Sequence, residues 1–188
     1  KYSLNKLYNE LRGGYYKGGQ AKSFKDSMSR LLIPAYHVVS GLSHVFRTPH
    51  HKDFVTDSDL DFADAALATA AAPTYFSAAK IKSMIGESAY IDGGVWANSP
   101  AMTAIIEAVC VLGVPLERID VLSIGTTSET FSVKDKINSG KLGWIRKNKI
   151  IDLLLNVQQE SSLKMSSTLV GNPRFCRVDV YTAPDEYR

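Results

Sequence analysis

Residues 88–100 read SAYIDGGVWANSP. A short apolar strand candidate ends on Asp92, two glycines follow at once, and Asn98 and Pro100 come a few residues later. A carboxylate fixed at a strand end can take a proton from a hydroxyl and return it to a leaving group. The same Asp-Gly pair is also a common hairpin turn signal. Taken alone, the stretch supports either reading.

Other residues with chemistry to offer are less pointed. His44, His50 and His51 fall in or beside the polar loop FRTPHHKDF, and solvated or loop-structuring roles are expected for them. No Cys/His spacing matches a zinc site. Cys110 and Cys176 stand in apolar settings and are expected to be buried free thiols. The segment VKDKINSGKLGWIRKNK places Lys134, Lys136, Lys141, Arg146, Lys147 and Lys149 around Leu142, Trp144 and Ile145. Cations beside an exposed Trp suit a bilayer interface, so Lys141, Trp144, Arg146, Lys147 and Lys149 are candidate membrane contacts. A solvated loop with its Trp in the core is the competing reading.

The elements that must hold these residues follow from pattern. Residues 1–30 are helical in character, broken at Gly13-Gly14. The run LLIPAYHVVSGLSHVF reads strand, turn, strand, with Pro34 limiting the first strand. FADAALATAAA is a compact helix of small residues closed by Pro73. AAKIKSM and SAYID are short strand candidates. Pro100 opens a helix with Ser99 as its cap and Gly113 at its end. IDVLSIGT is expected to be a buried strand, residues 150–170 an amphipathic helix, and RFCRVDVYT a last strand. Strands alternating with helices predict an α/β fold. In open α/β sheets chemistry gathers at the carboxyl ends of strands, where Asp92 is expected.

The bulk numbers agree with one ordinary globular domain. The 188 residues are 45% hydrophobic and 22% charged, with a net charge of +3 too mild to imply nucleic acid. No apolar run approaches the ~20 residues of a membrane span, and no secretory signal is visible. A cytoplasmic protein, peripheral at the membrane at most, is expected.

Four blocks in order carry a resemblance: ALATAAAPTYFSA, YIDGGVWANSP, the helix that follows it, and IDVLSIGTT. Together they resemble the patatin-like lipid acyl hydrolases, over about Leu31 to Thr127. The resemblance implies a three-layer α/β/α sandwich around a mostly parallel sheet. It also implies hydrolysis of lipid acyl esters by a Ser–Asp dyad with neither metal nor organic cofactor. Asp92 would be the general base. Gly93 and Gly94 would allow unusual backbone angles and close approach, Asn98 would hold the loop, and Pro100 would fix the helix entry.

One part of the family pattern is missing. The nucleophile elbow is Gly-x-Ser-x-Gly between a strand and a helix. Here GLSHV has Val45, and GESAY has Tyr90, where the second glycine belongs. No Gly-rich oxyanion loop is found either. Since the chain also opens on Lys1 rather than Met, residues 1–188 are expected to be the C-terminal portion of a catalytic domain. The serine would lie upstream, and this chain alone would be inactive. A non-catalytic binding or regulatory module with the same fold is the alternative, and an upstream elbow would decide between them.

Overall fold

A computed structural model describes residues 3–15, 21–83, 86–126, 128–129 and 149–182. The chain divides into two compact units, residues 1–97 and 98–188.

The first unit is built on a four-stranded sheet. β1 (Leu32–His37) and β2 (Leu42–Arg47) form a hairpin whose turn closes on Gly41, at a left-handed φ of 70°. β3 (Ala79–Ser83) pairs with β4 (Gly86–Asp92), and the strand order is β2-β1-β4-β3. Every pairing in this sheet is antiparallel. The expected mostly parallel sheet is therefore corrected, and with it the sandwich organised around one. The reason is connection length. A parallel pair needs a crossover of a dozen or more residues, whereas β1 joins β2, and β3 joins β4, through links of a few residues. Strands and helices do alternate along the chain, but these pairs close as hairpins.

Helix α1 (Leu4–Tyr15) runs through Gly13 and Gly14 instead of stopping there. α2 (Phe62–Ala70) begins at Asp61, whose side chain accepts the Ala63 N–H at 2.9 Å. Its Ala63, Ala65 and Ala68 are fully buried, since their small side chains let the helix approach its neighbours closely. The core also holds Phe24, Phe46, Leu60, Ile81 and Tyr90, and Leu4, Leu7, Tyr8 and Leu11 of α1 pack against it. Of the helical character expected up to residue 30, the described residues 21–30 keep only a single 3-10 turn, Phe24–Asp26. Asp26 accepts the backbone N–H of Ser23 at 2.9 Å, and Ser27 bonds the backbone of Ser29. Short polar side chains have taken over backbone groups that a helix would use.

In the second unit, α4 (Ala101–Ile106) continues as a π-turn over Glu107–Val111, before Gly113 at φ 64°. β5 (Val121–Ile124) pairs in parallel with β7 (Phe175–Val178), and β6 (Ser128–Glu129) with β8 (Tyr181–Thr182). The long helix α5 (Lys149–Val170) lies between β5 and β7 in sequence, supplying the length that a parallel pair requires. Ile105, Ile119 and Val170 form the core of this unit. β5 is less buried than expected, with Leu122 63% and Ile124 72% exposed. Both cysteines are free and exposed, not buried. Cys176 pairs across from Leu122 on that same open face. Gly125 follows β5 and lies close against two side chains. A side chain there would overlap Arg177 and Asp179, which form an ion pair with each other.

Candidate functional site

β4 ends at Asp92 because its neighbour β1 stops offering a ladder there. Pairing runs His37 to Tyr90, Tyr36 to Ile91 and Ala35 to Asp92. The next residue of β1 is Pro34, which has no N–H to give. On the opposite edge of β4, beyond the start of β3, the Asp92 N–H donates to Ala71 O at 3.1 Å, on the segment leaving α2. The small-residue helix thus contributes a backbone acceptor to the end of β4.

The chain then folds back in a tight turn. Asp92 Oδ1 accepts the Gly94 N–H at 2.7 Å, and Gly93 O accepts from Trp96 N–H (3.0 Å) and Ala97 N–H (2.8 Å). These bonds start the short helix α3 (Gly94–Ala97). The Trp96 indole N–H donates to Ala35 O at 2.8 Å, tying the turn to β1. Neither Gly93 nor Gly94 is among the glycines with left-handed φ. Gly93 is needed for space, since a Cβ would overlap the carbonyl of Pro34. That carbonyl is itself held by the Thr69 hydroxyl at 2.6 Å.

Asp92 is half-buried. Burial raises its carboxyl pKa above 3.8, and the Gly94 N–H opposes the shift by favouring the anion. Among the described residues no cation offsets the burial. One carboxylate oxygen is therefore fixed and the other has no hydrogen-bond partner among the described residues. This arrangement can accept a proton. Nearby, Thr74 adopts φ 76°, a left-handed angle rare for a β-branched residue, in the turn where Tyr75 and Phe76 N–H groups both donate to Ala72 O.

The other sequence candidates fall elsewhere. Asn98 donates its backbone N–H to Gln158 Oε1 (2.9 Å) and its side-chain amide to Gln159 Oε1 (2.8 Å), both on α5. Pro100, rather than Ser99, is the cap of α4, and its carbonyl accepts the Ala104 N–H at 3.0 Å. Ser99 is buried and its carbonyl accepts the Ser162 hydroxyl at 2.7 Å. Lys141, Trp144, Arg146 and Lys147 lie outside the described residues, as does the side chain of Lys149 at the start of α5.

Ser43 and Ser88 both lie inside strands, Ser43 opposite Tyr36 and Ser88 opposite Ile81. His50 bonds the Thr48 hydroxyl and packs on Phe54, as does His51. His44 sits among Phe46 and Tyr90, where burial lowers its pKa. The roles of Pro34, Thr69, Ala71 and Trp96 had no separate signal in the sequence, because each acts through a partner distant along the chain.

An antiparallel sheet ending in an Asp-Gly-Gly turn, braced by a small-residue helix, is the arrangement these residues define. The chain belongs to the patatin-like phospholipase family, whose model matches residues 5–105. It is 36% identical over 127 residues to a cGAMP-activated phospholipase of Escherichia coli (strain TW11681), covering 65% of this chain and 35% of that protein. It is 31% identical over 170 residues to a cGAMP-activated phospholipase of Pseudomonas aeruginosa, covering 89% and 49%. Patatin-like protein 2 of Arabidopsis thaliana is 29% identical over 191 residues, covering 85% and 46%. The chain thus spans about a third to a half of the length of these relatives. No described helix is long and apolar enough to cross a membrane.

Proposed function

We propose that this chain supplies the general base of a lipid acyl hydrolase, and that the base is Asp92. The observation that carries the reading is its half-buried carboxylate at the end of β4, with one oxygen held by Gly94 and burial raising its pKa. A base with a raised pKa holds a proton more readily, which aids transfer from a hydroxyl.

The nucleophile is proposed to be a serine outside this sequence. Neither Gly-x-Ser stretch here completes an elbow, and both serines lie within paired strands. In the reaction, the serine Oγ attacks the acyl carbonyl carbon while its proton passes to the unheld oxygen of Asp92. The carbonyl re-forms as the ester C–O bond breaks, and Asp92 returns the proton to the departing alkoxide. Water, deprotonated by the same carboxylate, then releases the fatty acid and regenerates the serine. The phospholipase class is supported by the family description and by the relatives' names.

The test is phospholipid hydrolysis by the full-length protein carrying Asp92→Asn, with folding checked in parallel. The assay is run with and without cGAMP, since two of the relatives above carry that activator in their names. Asn keeps the turn, because its side-chain oxygen can also accept the Gly94 N–H, but it cannot take the proton. Turnover should fall by ~10²–10⁴-fold, the usual worth of a general base. Near wild-type activity in the folded variant would reduce Asp92 to a turn residue.

A further inference from the structure

The end of β4 is held differently from the rest of the strand. Tyr90 and Ile91 lie in register with His37 and Tyr36, and Asp92 lies opposite Ala35 in the last pair of the ladder. Past that pair stands Pro34, whose nitrogen carries no proton, so β1 cannot donate a backbone bond to the Asp-Gly-Gly turn there. The β1 carbonyls at this end are taken by two side chains instead. The Thr69 hydroxyl, from the last turn of α2, donates to Pro34 O at 2.6 Å. The Trp96 indole N–H, from α3, donates to Ala35 O at 2.8 Å. Both side chains belong to half-buried residues, so each bond is partly shielded from competing water.

Each bond acts on a neighbour of Asp92. Pro34 O is the atom against which Gly93 packs, so fixing that carbonyl fixes the wall behind the turn. Ala35 is the residue opposite Asp92, and the Trp96 that grips it donates its own backbone N–H to Gly93 O. Strand, turn and short helix therefore close a ring of contacts around Asp92. The end of α2 closes a second one, because Thr69 holds Pro34 of β1 while Ala71, two residues on, accepts the Asp92 N–H of β4. The Gly94 N–H fixes one carboxylate oxygen relative to the turn. It is Thr69 and Trp96 that fix the turn relative to the sheet.

We propose that Thr69 and Trp96 are positioning residues for the carboxylate of Asp92, acting through the carbonyls of Pro34 and Ala35. The inference rests on Asp92 being the base. Neither side chain touches the reacting atoms. Each keeps the carboxylate where a serine oxygen reaches it, and the rate is steep in that placement, since a shift of about 1 Å can cost about a hundredfold.

The test removes each donor while keeping its shape. Thr69→Val keeps the branched side chain without the hydroxyl, Thr69→Ser keeps the hydroxyl, and Trp96→Phe keeps an aromatic ring without the N–H. The variants are made in the full-length protein, both in wild type and in Asp92→Asn. Hydrolysis of phosphatidylglycerol in detergent micelles is measured, and a thermal melt confirms folding. Thr69→Val and Trp96→Phe should each lower kcat by about 10–100-fold with KM little changed, and Thr69→Ser should recover most of the loss. In Asp92→Asn no base is left to misplace, so the same two substitutions should change the residual kcat by less than about threefold. An equal fold-loss in both backgrounds would mean that the two bonds serve the fold alone and would overturn the proposal. Wild-type kcat in folded Thr69→Val and Trp96→Phe would overturn it too. Near wild-type turnover of Asp92→Asn on its own is a separate failure, that of the base itself, and removes this inference with it.

Discussion

Gly93 lies against the carbonyl of Pro34 so closely that no side chain fits between them. The contact is backbone on backbone, and neither partner can swing away as a flexible side chain would. Pro34 is fixed further by its ring and by the Thr69 hydroxyl on its carbonyl oxygen. The second residue of the Asp-Gly-Gly turn is therefore chosen by packing against β1.

Gly93→Ala should destabilise the protein by about 1–3 kcal/mol, the usual cost of forcing volume into a filled site. Gly13→Ala is the control. Gly13 lies in α1 with open space around its Cβ position, and Ala is the better helix former, so that change should stabilise by about 0.5–1 kcal/mol. Urea unfolding of both variants measures the two effects. Equal stability of Gly93→Ala and wild type would remove the steric argument.

The pKa shift of the half-buried Asp92 carboxyl has a sign that can be checked. Its folded pKa is raised above 3.8, so the native state holds this proton more tightly than the unfolded chain does. Its contribution to stability is fully present below the unfolded pKa and is lost as pH rises through the folded one. Asp92→Asn has no proton to lose. The stability of the variant relative to wild type should therefore grow as pH rises from about 3.8 toward neutrality. Unfolding curves at a series of pH values report this, and a difference that shrinks with rising pH would show that another term sets the pKa.

What the sequence disclosed was local. The β1–β2 hairpin, the small-residue helix α2 and the arrival of a strand at Asp92 each follow from patterns within about ten residues. The pairing of the strands did not. Ala35 meets Asp92, and Trp96 reaches Ala35 O, through contacts that no nearby residue announces. Alternation of strand and helix pointed to an α/β fold and the family resemblance to a mostly parallel sheet, but the short links impose antiparallel pairing in the first unit. The apolar run of β5 looked like a strand buried on both faces, yet Leu122 and Ile124 are exposed. Ser23, Asp26 and Ser27 show why a helical pattern failed near residue 25, as their side chains compete for the backbone.

The basic stretch around Trp144 yields a prediction through its charge. Replacing Lys141, Arg146, Lys147 and Lys149 together with Ala should weaken binding to anionic vesicles. Each cation near such a surface contributes about 1 kcal/mol, so four should cost several hundred-fold at low salt. Co-sedimentation across a salt series checks it. Binding that is unchanged, or insensitive to salt, would make the stretch a solvated loop.

The most demanding prediction is that this chain alone stays unlabelled by a fluorophosphonate serine probe. Ser88 is the residue that puts it at risk. Its hydroxyl bonds His37 Nε2, and His37 Nδ1 bonds the Ser40 hydroxyl at 2.6 Å, so a serine and an imidazole are already in contact. Contact is not activation. Ser88 lies inside β4 opposite Ile81, on a strand that continues to Asp92, instead of at a sharp turn that would expose its oxygen. The far nitrogen of His37 meets a hydroxyl, not a carboxylate that would stabilise an imidazolium. Ser43 is likewise held within β2. The probe should therefore react with neither. Mass spectrometry of the treated chain, with folding confirmed by a cooperative thermal melt, gives the answer. An adduct on Ser88 or Ser43 would place a nucleophile within this chain and overturn the assignment of the serine to a segment outside it.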